Sequence, residues 1–117
     1  MPEPESVQGG TRGADMADFS SRFPTPGVGI LTVRGELDIS TSGALQQQLN
    51  DLLDAGTQRV EVDLSGVVFM DSSALSALVG AHERAGAHDQ QLALINPSPV
   101  CAKVLGITGL DRIFDLS

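Results

Sequence analysis

The sequence predicts a single α/β domain, with a mixed and mostly parallel β-sheet covered by helices. A short polar stretch flanked by Phe19 and Phe23 and the β-rich apolar run Val28–Val33 meet at Thr25-Pro26-Gly27, a hairpin signal with Pro and Gly in type II order. After it, hydrophobic spacing alternates between period 2 and period 3.6, the succession of strand and helix that builds parallel sheets. A length of 117 residues suits one domain with a real core.

The elements come in order along the chain. Residues 1–16 are rich in Pro, Gly and polar groups without periodicity, and read as a disordered tail before a domain at 17–117. Phe19–Phe23 reads as a weak strand pairing with Val28–Arg34. Ser40 or Thr41 can cap a helix whose Ala44, Leu45, Leu49, Leu52 and Leu53 share one face, with Gly56 as its stop. Val60, Val62 and Leu64 alternate with Glu61 and Asp63 as a strand, and Val67-Val68-Phe69-Met70 continues as an apolar stretch. A second helix starts at Asp71-Ser72-Ser73, carries Leu75, Leu78, Val79 and His82, and ends at Gly86. Leu92–Ile95 reads as a buried strand. Ser98 and Pro99 suit the N-cap and first position of a short helix that stops at Gly106. Ile113–Leu116 reads as a last strand.

Composition narrows the function. Aromatic residues make up 3% of the chain, with no Trp or Tyr, so stacking platforms for single-stranded nucleic acid are lacking. Seven basic residues face fifteen acidic ones, without the Lys/Arg cluster that a phosphate-backbone binder needs. A net charge of −8 suits docking onto a basic patch of another protein, and solubility alone accounts for it equally well. A single cysteine, Cys101, suits a reducing compartment and reads as core. The start Met1-Pro2-Glu3-Pro4-Glu5 is no secretory signal, and no apolar run approaches the roughly 20 residues of a membrane span. The expectation is a cytoplasmic monomer with no direct nucleic-acid or membrane contact.

Catalytic chemistry lacks its parts. His82 and His88 are the only histidines, and His82 lies roughly 15 Å along the helix from Ser72, so no base reaches that hydroxyl. One Cys, two His and dispersed carboxylates have no metal-ligand spacing. Neither a phosphate-binding loop nor a nucleophile elbow occurs, so the expectation is no enzyme, no metal and no cofactor. Glu36 and Asp38, two apart, could pair on a strand, but a solvated loop is the simpler reading.

Asp71-Ser72-Ser73-Ala74-Leu75 is the most informative run. It stands where a strand gives way to a helix, whose first N–H groups lack intrahelical partners and whose dipole favours negative charge. By local chemistry it reads first as an N-cap signature. A phosphoryl group on Ser72 would add about −1.5 to −2 charge there, which the helix tolerates and a partner made for a neutral hydroxyl does not.

The run Val68–Leu75 resembles the signature of bacterial anti-sigma factor antagonists, which are single STAS domains. Arg34-Gly35-Glu36-Leu37-Asp38 is similar to the family's earlier acidic loop, Val60–Ser65 to the strand before its phosphosite, and Gly109–Phe114 to its C-terminal segment. The resemblance spans about residues 19–117. It implies that Ser72 is phosphorylated by a partner anti-sigma factor that is itself a serine kinase. Ser73 would tune the reaction, with Asp38 and Asp71 in the switch surface. Unphosphorylated antagonist would bind the kinase and free a sigma factor. Phosphorylated antagonist would let go until a metal-dependent serine phosphatase resets it. Ala74 stands where the family often has Gly, and the chain ends at Ser117 where relatives commonly add a helix. The alternative within the fold is a non-switching STAS scaffold subunit of a stress-sensing or lipid-transport assembly, or a nucleotide-binding form.

Overall fold

The computed structural model describes residues 17–116; the tail expected at 1–16 lies outside them. The element order is β1 (Ala17–Thr25), β2 (Val28–Leu37), α1 (Ser42–Asp54), β3 (Arg59–Met70), α2 (Ser72–Ala87), β4 (Gln91–Ile95), α3 (Pro99–Thr108), a 3-10 turn (Leu110–Arg112) and β5 (Asp115–Leu116). The strands form one sheet in the order β1-β2-β3-β4-β5. The β1–β2 pair is antiparallel and closes at Thr25↔Val28, while β2–β3, β3–β4 and β4–β5 are parallel. This is the expected hairpin followed by strand–helix units. The last strand is shorter than Ile113–Leu116, since Ile113 belongs to the turn before it, with its N–H bonded to Leu110 O at 3.0 Å.

Period-2 alternation decides which side of the sheet is covered. Leu31 and Val33 of β2, Val60, Val62 and Leu64 of β3, and Leu92 and Leu94 of β4 share one buried cluster with Leu45, Leu49, Leu52 and Leu53 of α1. Ala74, Leu75, Ala77, Leu78, Ala81 and Ala85 of α2 and Cys101 and Leu105 of α3 join it. Small alanines on α2 let that helix lie close to its neighbours. The opposite face carries Asp18, Ser20, Arg22, Thr32 and Arg34, which line a shallow groove. Asp63 stands on this face too; burial raises its pKa, but bonds from Ser65 and Asn96 and the Arg22 charge outweigh that and hold it below the ordinary value.

Two register shifts in the β2–β3 pair shape the C-terminal end of these strands. Thr32 pairs with Asp63 but Arg34 with Gly66, and Gly35 pairs with Val67 but Glu36 with Phe69. Each shift inserts one extra residue into β3, a bulge that re-aims the side chains after it. Gly35 takes φ +98°, a conformation that costs glycine little, at the second of these shifts. As a result Val67 and Met70 are both buried, while Val68 is 67% and Phe69 45% exposed. The stretch Val67–Met70 is therefore half core and half surface.

Gly66 sits under Arg34. A Cβ there would lie 2.7 Å from Arg34 Cγ and 3.3 Å from Arg34 Cβ. Gly66→Ala should therefore destabilise the domain by about 1–2 kcal/mol through overpacking. In an Arg34→Ala background the same change should cost clearly less, because the contact with Cγ is gone. Urea unfolding of the four-member cycle checks this; equal costs in both backgrounds would locate the strain elsewhere.

Helix ends depart from the sequence reading in three places. Thr41 occupies the N-cap position of α1, but its side chain makes no capping bond. Helix α2 runs past Gly86 to Ala87, and it closes through His88 N–H donating to Ala85 O at 3.0 Å and Asp89 N–H donating to Gly86 O at 3.4 Å. Helix α3 runs through Gly106 to Thr108 and ends at Gly109, whose φ of +79° suits a left-handed cap. In α2 and α3 the nearest glycine is not the terminator: a helical glycine costs only about 1 kcal/mol, and the left-handed residues that follow these helices are Asp89 at φ +58° and Gly109 at φ +79°. The Ser98 cap is as expected, its side chain accepting from Cys101 N, with Pro99 at the first position.

Cys101 is fully buried. Burial raises its thiol pKa, outweighing the opposing bonds from Ser98. The native protein should leave Ellman's reagent almost unreacted until denaturant is added; rapid native labelling would show that α3 opens readily.

Candidate functional site

The C-terminal ends of β2 and β3 meet at one edge of the domain. Leu37 pairs with Met70, and Asp71 N–H donates to Leu37 O at 3.1 Å. The next residues along the chain, Asp38 and Asp71, therefore begin adjacent loops. The four candidate residues Asp38, Asp71, Ser72 and Ser73 gather here from two segments more than thirty positions apart in the chain. Glu36 belongs to strand β2, so the acidic loop begins only at Asp38.

Asp71 is the N-cap of α2. Its backbone is extended, and its Oδ1 accepts from Ser73 N at 2.9 Å and Ala74 N at 3.3 Å. Its carbonyl accepts from Leu75 N at 3.2 Å. Three donors of the helix start are thereby satisfied by one residue. Ser73 Oγ also donates to Asp71 Oδ1, at 2.5 Å. Ser72 is exposed, and its hydroxyl makes no hydrogen bond among the described residues. The two adjacent serines therefore differ: one hydroxyl is tied down and the other is free.

Asp38 is arranged in the same way. Its Oδ1 accepts from Ser40 N at 2.9 Å and Ser40 Oγ at 2.6 Å. The Ser40 hydroxyl, the largest influence, holds the Asp38 carboxyl below its ordinary pKa, with Ser40 N–H and Thr41 assisting against burial. Thr41 is fully buried beneath this loop. Its hydroxyl donates to Glu36 O and accepts from Asp38 N, each at 2.9 Å, fastening the loop to the end of β2.

Three exposed apolar residues adjoin these polar residues in the chain. Ile39 is 79% exposed beside Asp38, and Val68 and Phe69 are exposed just before Asp71. Sequence reasoning did not single out Ile39, Ser40, Thr41, Val68 or Phe69 as functional. A signal for the polar part was present, though not a unique one: Asp-x-Ser occurs at Asp18, Asp38, Asp63, Asp71 and Asp115, and at Asp38, Asp63 and Asp71 the Asp Oδ1 accepts the N–H of the Ser two residues on. No comparable local signal marks the bulge that exposes Val68.

The other polar groups lie elsewhere. His82 packs edge-on against Phe114, ring centroids 5.2 Å apart, and His88 Nδ1 lies 3.0 Å from Arg84 O. Among the described residues no cluster of His, Cys, Asp and Glu has the makings of a metal site, and no helix is long and apolar enough to cross a membrane.

The profile of the STAS domain matches residues 24–117. An anti-sigma-B factor antagonist of Staphylococcus epidermidis is 35% identical over 85 residues, 73% of this chain and 79% of that protein. The crystal structure of an anti-sigma factor antagonist from Mycobacterium paratuberculosis superposes with a TM-score of 0.78 at 27% identity, covering 87% of this chain and 86% of that one. The anti-sigma factor antagonist SpoIIAA, a Bacillus cell fate determinant, shares the fold. Its unphosphorylated form gives a TM-score of 0.73 at 22% identity over 86% and 88% of the two chains. Its phosphorylated form gives 0.68 at 23% identity over 86% and 91%. With the parallel strands and the serine at the start of α2 on one continuous match, the chain belongs to the STAS domain family, among the anti-sigma factor antagonists.

Proposed function

We propose that this protein binds a kinase-type anti-sigma factor while Ser72 is unmodified, so releasing a sigma factor, and that phosphorylation of Ser72 ends the binding. The observation that carries this reading is the free, exposed Ser72 hydroxyl at the start of a helix already capped by Asp71. Because Asp71 has taken the N–H groups of Ser73 and Ala74, a phosphate on Ser72 finds few backbone donors left to fold down onto. Its charge then faces the partner, beside the carboxylates of Asp71 and Asp38. The helix keeps its cap, so the fold survives while the docking surface changes its charge.

The surroundings support a protein partner. Ile39, Val68 and Phe69, which adjoin these polar residues in the chain, offer exposed apolar area, the composition of an interface centre rather than of ordinary surface. The net charge of −8 favours a partner with a basic rim. The sole role of this surface is then recognition: the phosphoryl donor and the base belong to the kinase, and a metal-dependent serine phosphatase restores the hydroxyl.

The test is incubation with candidate kinase anti-sigma factors and ATP, followed by mass mapping. Stoichiometric phosphate on Ser72 and loss of the complex are expected. A complex that persists with Ser72 fully phosphorylated would defeat the switch and favour a scaffold role.

A further inference from the structure

We propose that the hydrogen bond from Ser73 to Asp71 selects the acceptor, making Ser73 a positioning and specificity-determining residue that leaves Ser72, of the two adjacent serines, with the hydroxyl available for phosphoryl transfer. The inference rests on the reading of Ser72 as the phosphosite and says how one of two adjacent serines is chosen.

The two side chains are chemically identical and one residue apart, so intrinsic reactivity cannot separate them. Their bonding does. Ser73 Oγ donates its one proton to Asp71 Oδ1 at 2.5 Å, the short, charge-assisted class of hydrogen bond. Its own N–H and that of Ala74 converge on the same oxygen, so the carboxylate is held in place from three directions. Ser73 is also partly buried, whereas Ser72 is exposed. The matching bond from Ser40 to Asp38, at 2.6 Å, shows that serine two residues after aspartate adopts this geometry elsewhere in the chain.

Phosphoryl transfer needs an acceptor oxygen free to approach the γ-phosphorus in line with the leaving group. In the step, the Ser72 Oγ–P bond forms and the bond from the γ-phosphorus to the bridging oxygen of ATP breaks. ADP leaves with the electron pair, and the hydroxyl proton passes to the kinase's base. Ser73 enters the same step only after breaking its bond to Asp71, which lowers its reactive fraction roughly 10- to 100-fold. The same bond also restrains Asp71 from turning toward the Ser72 hydroxyl and occupying it.

The experiment reads where the phosphate goes, a quantity that a purely structural role for Ser73 leaves unchanged. Wild type, Ser72→Ala, and Ser72→Ala combined with Asp71→Asn are incubated with a kinase anti-sigma factor and ATP, and the phosphosites are mapped by mass. Asn caps helices about as well as Asp, so the helix start is retained while the charged acceptor is lost. Expected are phosphate on Ser72 alone in wild type, almost none on Ser73 in Ser72→Ala, and at least tenfold more on Ser73 in the double variant. Labelling of Ser73 in Ser72→Ala at a rate near that of Ser72 in wild type would overturn the selection and leave Ser72 as acceptor. A wild type that takes no phosphate overturns the reading beneath it. A second arm, independent of the kinase, is NMR detection of the Ser73 hydroxyl proton. Slow exchange in wild type, lost in Asp71→Asn, is expected; fast exchange in wild type would overturn the proposal even if the double variant is unlabelled.

Discussion

Replacing Ser72 by glutamate is expected to weaken binding to the anti-sigma factor roughly 10- to 100-fold, while Ser72→Ala binds as tightly as wild type and is no longer released by ATP. The difference stems from the start of α2. Asp71 already accepts from Ser73 N and Ala74 N, so a new carboxylate at position 72 has little backbone to bond and presents its charge outward. Asp38 and Asp71 add negative charge at the neighbouring strand ends. A desolvated charge without a partner costs several kcal/mol at an interface, and each 1.4 kcal/mol is about a tenfold loss of affinity. Glutamate carries one charge against about −1.5 to −2 for phosphate, so it reproduces only part of the effect. Both variants should keep the wild-type circular dichroism spectrum, since the cap is Asp71 and not Ser72. Calorimetric titration against the partner measures the difference. Equal affinities for the two variants would show that position 72 lies outside the interface.

The largest effect on stability is expected from Thr41→Val, which removes a hydroxyl and keeps the shape. Thr41 is fully buried, and its hydroxyl is the partner of both Glu36 O and Asp38 N. Valine leaves that carbonyl and that N–H, both partly buried, without their bonds, a loss of about 1–3 kcal/mol per group at full burial. A loss of about 2–4 kcal/mol should lower Tm by roughly 10–25 °C in a domain of this size. Thr41→Ser should restore most of it, because the hydroxyl returns. Ser40→Ala, removing an exposed bond to Asp38, should shift Tm far less. Its effect is instead on acid titration: the Ser40 hydroxyl favours the charged Asp38, whose pKa is lowered in the folded protein. That contribution is present above the ordinary carboxylate value and is lost as pH falls through the lowered one. Differential scanning calorimetry of the three variants from acid to neutral pH separates these effects. A Thr41→Val protein that melts with wild type would mean that water or backbone rearrangement satisfies the loop.

The sequence by itself determined the elements and their order. Alternation at Val60, Val62 and Leu64, helical spacing at Leu45, Leu49, Leu52 and Leu53, and the caps at Asp71 and Ser98 are local patterns. Each stands in the structure because burial and capping act over a few residues. Asp71-Ser72-Ser73 was legible for the same reason, as a cap with two hydroxyls beside it. Gly86 and Gly106 mislead as helix ends because a helical glycine costs little, and the left-handed turn comes later, at Asp89 and Gly109. Pairing across strands decided the rest. Only the parallel register of β2 on β3 brings Asp38 beside Asp71, since nothing local relates two residues so far apart in the chain. Only the extra residues that β3 carries against β2 turn Val68 and Phe69 outward from an apolar run that reads as core. Which serine hydroxyl is tied and which is free was likewise decided in three dimensions, by where the Asp71 carboxylate comes to rest once Leu37 O has bonded its N–H. Register and side-chain pairing are set by contacts between segments, and a single strand's pattern does not contain them.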